Sequence, residues 1–248
     1  MAVTFFWRAE AETLSGVDDF SAGDTTGAAA GAAAISVVAA KLGTNGVLAP
    51  GSSDFYRFDS SGIYSNVGCM GNWIQWKSAI PNAGLNANGV QFVQEADVAN
   101  IINFRTLGVS PNFDIRLQIR KTGAVANFVA TSGLSVALDT WYFIIGRWDV
   151  PGDKCKIEVY NSAGTLITST EDTGTDLGPF EPSVIDGIRI GNSSSHASNI
   201  WFDSIMIANT YAEPLQNYLA YTSYTQISGG GGSAMPVKQD MYRRRRVA

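Results

Sequence analysis

One stretch, residues 139–170, restricts this chain more than any other. It reads DTWYFIIGRWDVPGDKCKIEVYNSAGTLITST. Trp141, Tyr142, Phe143, Ile144, Ile145 and Trp148 form a run of aromatic and β-branched side chains that stops at the turn signal Val150-Pro151-Gly152-Asp153. Cys155, Ile157 and Val159 then alternate with Lys154, Lys156, Glu158 and Tyr160, up to a second turn, Asn161-Ser162-Ala163-Gly164, before Thr165-Leu166-Ile167-Thr168. Period-two alternation between turn residues predicts three antiparallel strands in a meander, with one face packed inward and the other wet.

The same pattern recurs along the chain. Strands are predicted at residues 3–8, 35–38, 54–59, 62–64, 73–80, 89–93, 101–106, 112–120, 124–130, 183–190 and 199–208. In the cleanest of them Phe113, Ile115, Leu117 and Ile119 alternate with Asn112, Asp114, Arg116, Gln118 and Arg120. The first set should be buried, and Asp114, Arg116 and Gln118 mostly exposed. Gly43-Thr44-Asn45-Gly46 and residues 81–89 are turn and loop segments. No segment longer than ten residues has helical periodicity, although 213–224 could make a short helix after Pro214. An all-β chain of two antiparallel sheets packed face to face is the expectation.

The order "Trp, apolar run, Trp, short turn, Ile-x-Val-Tyr, Asn-x-x-Gly" resembles the central hairpins of the laminin G-like, or concanavalin A-like, lectin-glucanase family. Ile188-Arg189-Ile190-Gly191, followed by Ile200-Trp201-Phe202-Asp203-Ser204-Ile205-Met206-Ile207, resembles that family's closing strands. Ala40-Lys41-Leu42-Gly43 and Tyr56-Arg57-Phe58-Asp59 match more loosely. The resemblance spans residues 3–211 and implies an antiparallel two-sheet jelly-roll sandwich. This scaffold hosts enzymes, lectins and structural modules alike, so it implies a fold rather than a function.

Charge divides the chain. Five of the 17 basic residues and one of the 22 acidic residues fall in the last sixteen positions, leaving residues 1–232 with a net charge of −9 against +4 for the tail. Between them lies Ser228-Gly229-Gly230-Gly231-Gly232-Ser233, the composition of a flexible linker. The expected organisation is therefore a jelly roll over residues 1–212, a connector and linker over 213–233, and an extended basic C-terminal arm over 234–248. Residues 1–8 lack the basic start of a signal peptide. The apolar stretch 28–40 is too short and too rich in alanine to span a bilayer.

Catalytic patterns are missing. The glucanase branch of the fold family uses Glu-x-Asp-x-x-Glu, and the nearest fragment here, Glu95-Ala96-Asp97, has Asn100 where the third carboxylate should stand. The single histidine, His196, lies in a Ser-rich loop, which disfavours His-dependent nucleophiles. Cys155 is in phase with Ile157 and Val159 and reads as a small buried hydrophobe; pairing with Cys69 is left open. No catalytic residue is expected. Three other groups are candidates. Trp73, Trp76, Trp148 and Asp149 carry the rings and polar atoms of a sugar site, although Trp73 and Trp76, three apart, point to opposite faces of a regular strand. Asp18, Asp19 and Asp24 supply the oxygen ligands that calcium takes, the one cofactor considered. Lys238, Tyr242, Arg243, Arg244, Arg245 and Arg246 would dock the arm on carboxylates of a partner.

The sequence reading is a non-enzymatic structural protein of a bacteriophage-type virion, a capsid decoration or tail-associated lectin-like module. It is made in the host cytoplasm and held to a capsid or tail protein of the same particle by its arm. Self-association is a further option, and sequence-specific nucleic-acid recognition is not expected. Its rival is a carbohydrate-binding module for host surface glycans, and a polysaccharide-degrading enzyme comes a distant third.

Overall fold

A computed structural model describes residues 3–14, 19–60, 62–78, 86–94, 101–109, 112–120, 127–131, 134–173, 177, 185–192 and 199–215. Among them are sixteen strands. The first half holds β1 (Val3–Trp7), β2 (Phe20–Ser21), β3 (Ala28–Ala30), β4 (Ala34–Ser36), β5 (Gly46–Ala49), β6 (Asp54–Asp59), β7 (Val67–Trp76) and β8 (Asn86–Val93). The second holds β9 (Ile101–Val109), β10 (Asn112–Arg120), β11 (Asn127–Ala130), β12 (Trp141–Asp149), β13 (Lys154–Tyr160), β14 (Leu166–Thr173), β15 (Gly187–Asn192) and β16 (Ile200–Ala208). Residues 62–64, expected as a strand, form a turn instead, and β14 runs from Leu166 to Thr173, past the Thr165–Thr168 strand of the expected meander.

The strands make two antiparallel sheets. The first runs β14-β13-β12-β7-β16-β1-β2, with β5 beside β16 and β4 beside β5; the second runs β11-β10-β9-β8-β15-β6-β3. One edge of β16 has two partners in succession, β5 along residues 200–202 and β1 along 205–208. The change of partner falls at a bulge where Ser204 takes φ +49.

The main core fills the space between the sheets. Aromatic rings from the first sheet meet rings from the second edge-on: Trp7 packs on Phe58 with centroids 5.0 Å apart, and Trp148 on Phe92 at 5.7 Å. Ile115, Leu117 and Ile119 of β10 are buried in it as the alternation predicts, while the side chain of Phe113 lies outside the described residues.

The expected wet face of the meander is corrected for its first strand, β12, whereas β14 stays at the surface. β7 and β12 are buried on both sides over nearly their whole length. A second, smaller core of Phe6, Cys69, Trp73, Phe143, Ile145 and Met206 covers the outer face of the first sheet, and Leu215 packs into it with no exposure. Cys69 belongs to this outer core and Cys155 to the inner one, so the sheet separates the two thiols and both are free.

A buried ionic network fastens the chain leaving β16. Arg147 gives its Nε to Glu158 Oε2 at 2.8 Å and its Nη1 to the carbonyls of Tyr211 and Glu213 at 2.8 and 2.7 Å. Burial pushes the Glu158 carboxyl up, but the hydrogen bond from Lys156 and the charge of Arg147 more than reverse this and leave it below its ordinary value.

Candidate binding surfaces

The tryptophans picked from the sequence are structural. Trp73, Trp76 and Trp148 are at most 2 % exposed, so none offers a ring face to a sugar. Trp73 and Trp76 do point to opposite faces, as their spacing requires, but both faces are covered. Trp76 lies in the inner core, and Trp73 lies in the outer one, between Phe143 and the Lys41 ammonium 4.7 Å above its ring. Trp148 donates Nε1–H to the Ser65 carbonyl at 2.8 Å. Gly68 leaves room for it: a Cβ there would stand 2.6 Å from the indole. Asp149 closes the β12–β13 turn by accepting from the Gly152 N–H at 2.9 Å.

The acidic candidates are engaged separately. Asp19 accepts from the backbone N–H and the Nε of Arg8 at 3.0 and 3.2 Å, and Asp24 accepts from the Asp59 N–H at 2.8 Å. Asp18 lies outside the described residues, as do the six arm residues Lys238, Tyr242, Arg243, Arg244, Arg245 and Arg246, and also Glu95, Asp97 and His196. Among the described residues no three His, Cys, Asp or Glu side chains come together as a metal site.

What the fold does assemble is a polar row across the outer face of the second sheet. Antiparallel register lines up Arg57 (β6), Arg189 (β15), Gln91 (β8), Asn103 (β9) and Gln118 (β10). In the next row Arg105 stands opposite Arg116. Arg120 shares this face by the alternation of β10. Seven arginines precede the linker in sequence, and five of them are on this one face. Arg105 Nη1 donates to Gln118 Oε1 at 2.9 Å, Arg116 pairs with Asp114 at 3.3 Å, and Arg189 stacks over Phe55 at 4.7 Å.

This face differs from an ordinary solvated sheet. Gln91, Asn103 and Gln118 are 1–3 % exposed, which corrects the expectation that Gln118 faces water. Asn103 Oδ1 has no hydrogen-bond partner among the described residues. Burial, and then the charge of Arg120, lower the pKa of Arg105, so its cation is held where an anion would be welcome. The charge is graded along the rows. At the β3–β6 end Asp24, Asp59 and Asp186 surround Arg57 in a cleft of about 380 Å³, whereas Arg105, Arg116 and Arg120 dominate the β9–β10 end. No motif announces this surface. Each strand contributes a few polar residues at alternate positions, from one on β8 and β15 to Arg116, Gln118 and Arg120 on β10, and only the register of five strands brings them together.

The fold has counterparts among solved structures. The binding domain of Paraclostridial Mosquitocidal Protein 1 matches with a TM-score of 0.57 at 13% identity, over 88% of this chain and 51% of that one. The botulinum neurotoxin serotype D binding domain matches at 0.54 and 11%, over 87% and 49%. The enzymatically active domain of a bacteriophage CBA120 tailspike protein matches at 0.51 and 13%, over 79% and 29%. The chain spans about half the length of the two toxin domains and under a third of the tailspike domain. At such identities the likeness is one of fold. No protein-family model matches the sequence, and no curated protein matches it.

Proposed function

We propose that this chain is a non-enzymatic binding module, carried on a virion by its C-terminal arm, that takes an acidic polysaccharide on the arginine-lined face of its second sheet. The observation that carries this reading is the concentration of arginines on one face of an otherwise acidic body. Guanidinium groups match carboxylate and sulfate oxygens with paired N–H donors. Gln91, Asn103 and Gln118 are buried between them and form a polar floor under the guanidinium groups. The carboxylates around Arg57 repel an anion from that end and favour the ground between Arg105, Arg116 and Arg120.

The virion role rests on an acidic body, a Gly-rich linker and a basic arm, together with a fold like that of a tailspike domain. Leu215, at the last described position, is packed on the outer face of the first sheet. Attachment from that side turns the arginine face away from the particle. A titration of the full chain with alginate, polygalacturonate, chondroitin sulfate and dextran tests the binding role. The acidic polymers should bind, dextran should not compete for the same face, and no unsaturated products or new reducing ends should appear. Binding of none of the acidic polymers, or turnover of any of them, contradicts the reading. A mass-spectrometric inventory of purified phage particles tests the location.

A further inference from the structure

Both sheets end in strands that have no further strand beside them among the described residues. β2, β3 and β4 are two or three residues long and β11 is four, the short edges by which folded proteins discourage further pairing. β14 is the exception, an eight-residue edge beyond β13. It contains neither proline nor lysine, two other common guards of an edge. At its start a bulge leaves Ile167 without a partner residue on β13, and Leu166 and Ile167 are 49 % and 44 % exposed, two of the five large apolar side chains on the described surface. Glu171 and Asp172 stand at its other end.

The chain passes β14 as it leaves the sandwich. Tyr211 donates its hydroxyl to Glu171 at 2.7 Å, and the Lys154 ammonium lies 4.6 Å above the Tyr211 ring. Leu215, four residues on, is the last described residue. Residues 216–233 then separate it from the basic arm. Fully extended, that segment reaches up to about 60 Å, more than twice the roughly 25 Å length of β14.

We propose that the free chain docks its own arm on this edge, with residues 241–246 added parallel to β14 as a further strand of the first sheet. Strand addition draws affinity from main-chain hydrogen bonds and specificity from the side chains that come to lie together. The two patterns match in spacing: Leu166 and Glu171 are five residues apart, as are Met241 and Arg246. In that register Met241 and Tyr242 lie beside Leu166 and Ile167, and Arg246 lies beside Glu171. The net charges, +4 on the tail and −9 on the body, favour the same contact. A tether makes the encounter intramolecular, at an effective concentration in the millimolar range, so the chain fills its own edge before that of a second copy. The contact belongs to the free chain and does not rest on the virion reading; a particle protein that takes the arm competes with β14 for it.

The test is amide hydrogen exchange across residues 166–173, read by mass spectrometry. It compares the full chain, a chain ending at Ser233, and a full chain carrying Arg243→Ala, Arg244→Ala, Arg245→Ala and Arg246→Ala. Exchange should be at least tenfold faster in both altered chains, and concentrated salt should speed it in the full chain. Leu166→Lys with Ile167→Lys, at two exposed positions, should speed it as well and leave the thermal melt in place. A synthetic peptide of residues 234–248, added at millimolar concentration to the shortened chain, should restore the slow exchange. Equal exchange in the full and shortened chains overturns the proposal. So does protection that grows with chain concentration, which would give the edge to the arm of a second copy. Retention on particles is a separate readout, and its absence with β14 still protected contradicts the attachment reading alone.

Discussion

Asp203 sits at the bulge of β16. Its Oδ2 accepts from the backbone N–H groups of Lys41 and Leu42 at 2.6 and 2.7 Å, and its Oδ1 accepts from the Ser204 hydroxyl at 3.2 Å. The carboxyl thereby pins the 40–45 loop over Trp73. Burial raises its pKa from 3.8 to about 7, against the downward pull of the donors from Leu42, Lys41 and Ser204. A carboxyl with a raised folded pKa binds its proton more tightly folded than unfolded. Its contribution to stability is fully present below about pH 4 and is lost as pH rises through about 7. Asp203→Asn keeps an acceptor oxygen and removes the titration. In thermal melts from pH 4 to 8 the wild type should lose stability relative to this variant as pH rises; parallel curves would show that the carboxyl does not titrate in that window. Nothing in the sequence around Asp203 marks it as buried, since the loop that covers it is more than 160 residues away.

At the scale of elements, the strands were legible and their burial was only half so. Residues 112–120 form a strand over the predicted span because strict alternation with one apolar face admits little else. β7, VGCMGNWIQW, has no alternation to read, since both of its faces are covered and glycine, methionine and tryptophan serve on either. The candidate site suffered from the same gap. Trp73 reads as a sugar-stacking ring because polar residues stand near it in sequence, but the outer core covers it. Trp141 and Trp201 were absorbed into the strand pattern although they are the half-exposed pair. Packing between the sheets gives a sharper test. A Cβ on Gly146 of β12 would stand 2.8 Å from both Leu117 Cδ1 and Phe104 Cε1 of the second sheet. Leu117→Ala should cost about 2–5 kcal/mol, and Gly146→Ala about 1–3 kcal/mol from overpacking. In urea unfolding the double variant should be more stable than the sum of the two losses implies, because the shortened side chain at 117 frees space for the new methyl. Strict additivity would mean that the sheets are not in the close contact described.

In the whole molecule, the proposed arginine face and the proposed docking arm are separate parts. Residues up to Leu215 are tied to the sandwich by the Arg147 network and the outer core, whereas the arm at 234–248 follows a Gly-rich linker in sequence. Deleting residues 234–248 should shift the thermal midpoint by no more than about two degrees, since changes away from the core are usually within about 0.5 kcal/mol. The same deletion should abolish retention on particles in a sedimentation assay. Normal retention would remove the arm from the attachment model, and a much earlier melt would make it part of the fold.

The arginine face of the second sheet is proposed to bind an anionic chain. Its most direct measurement is the affinity of the full chain for alginate at a series of salt concentrations, for the wild type and for Arg105→Ala with Arg116→Ala. Arg105 donates to the buried Gln118, so a thermal melt of the paired variant accompanies the titration and shows that the fold is kept. Wild-type affinity should fall steeply as salt screens the guanidinium–carboxylate attraction, and the paired variant should bind at least tenfold more weakly with a shallower salt dependence. Equal affinity and equal salt dependence in the two proteins would contradict it.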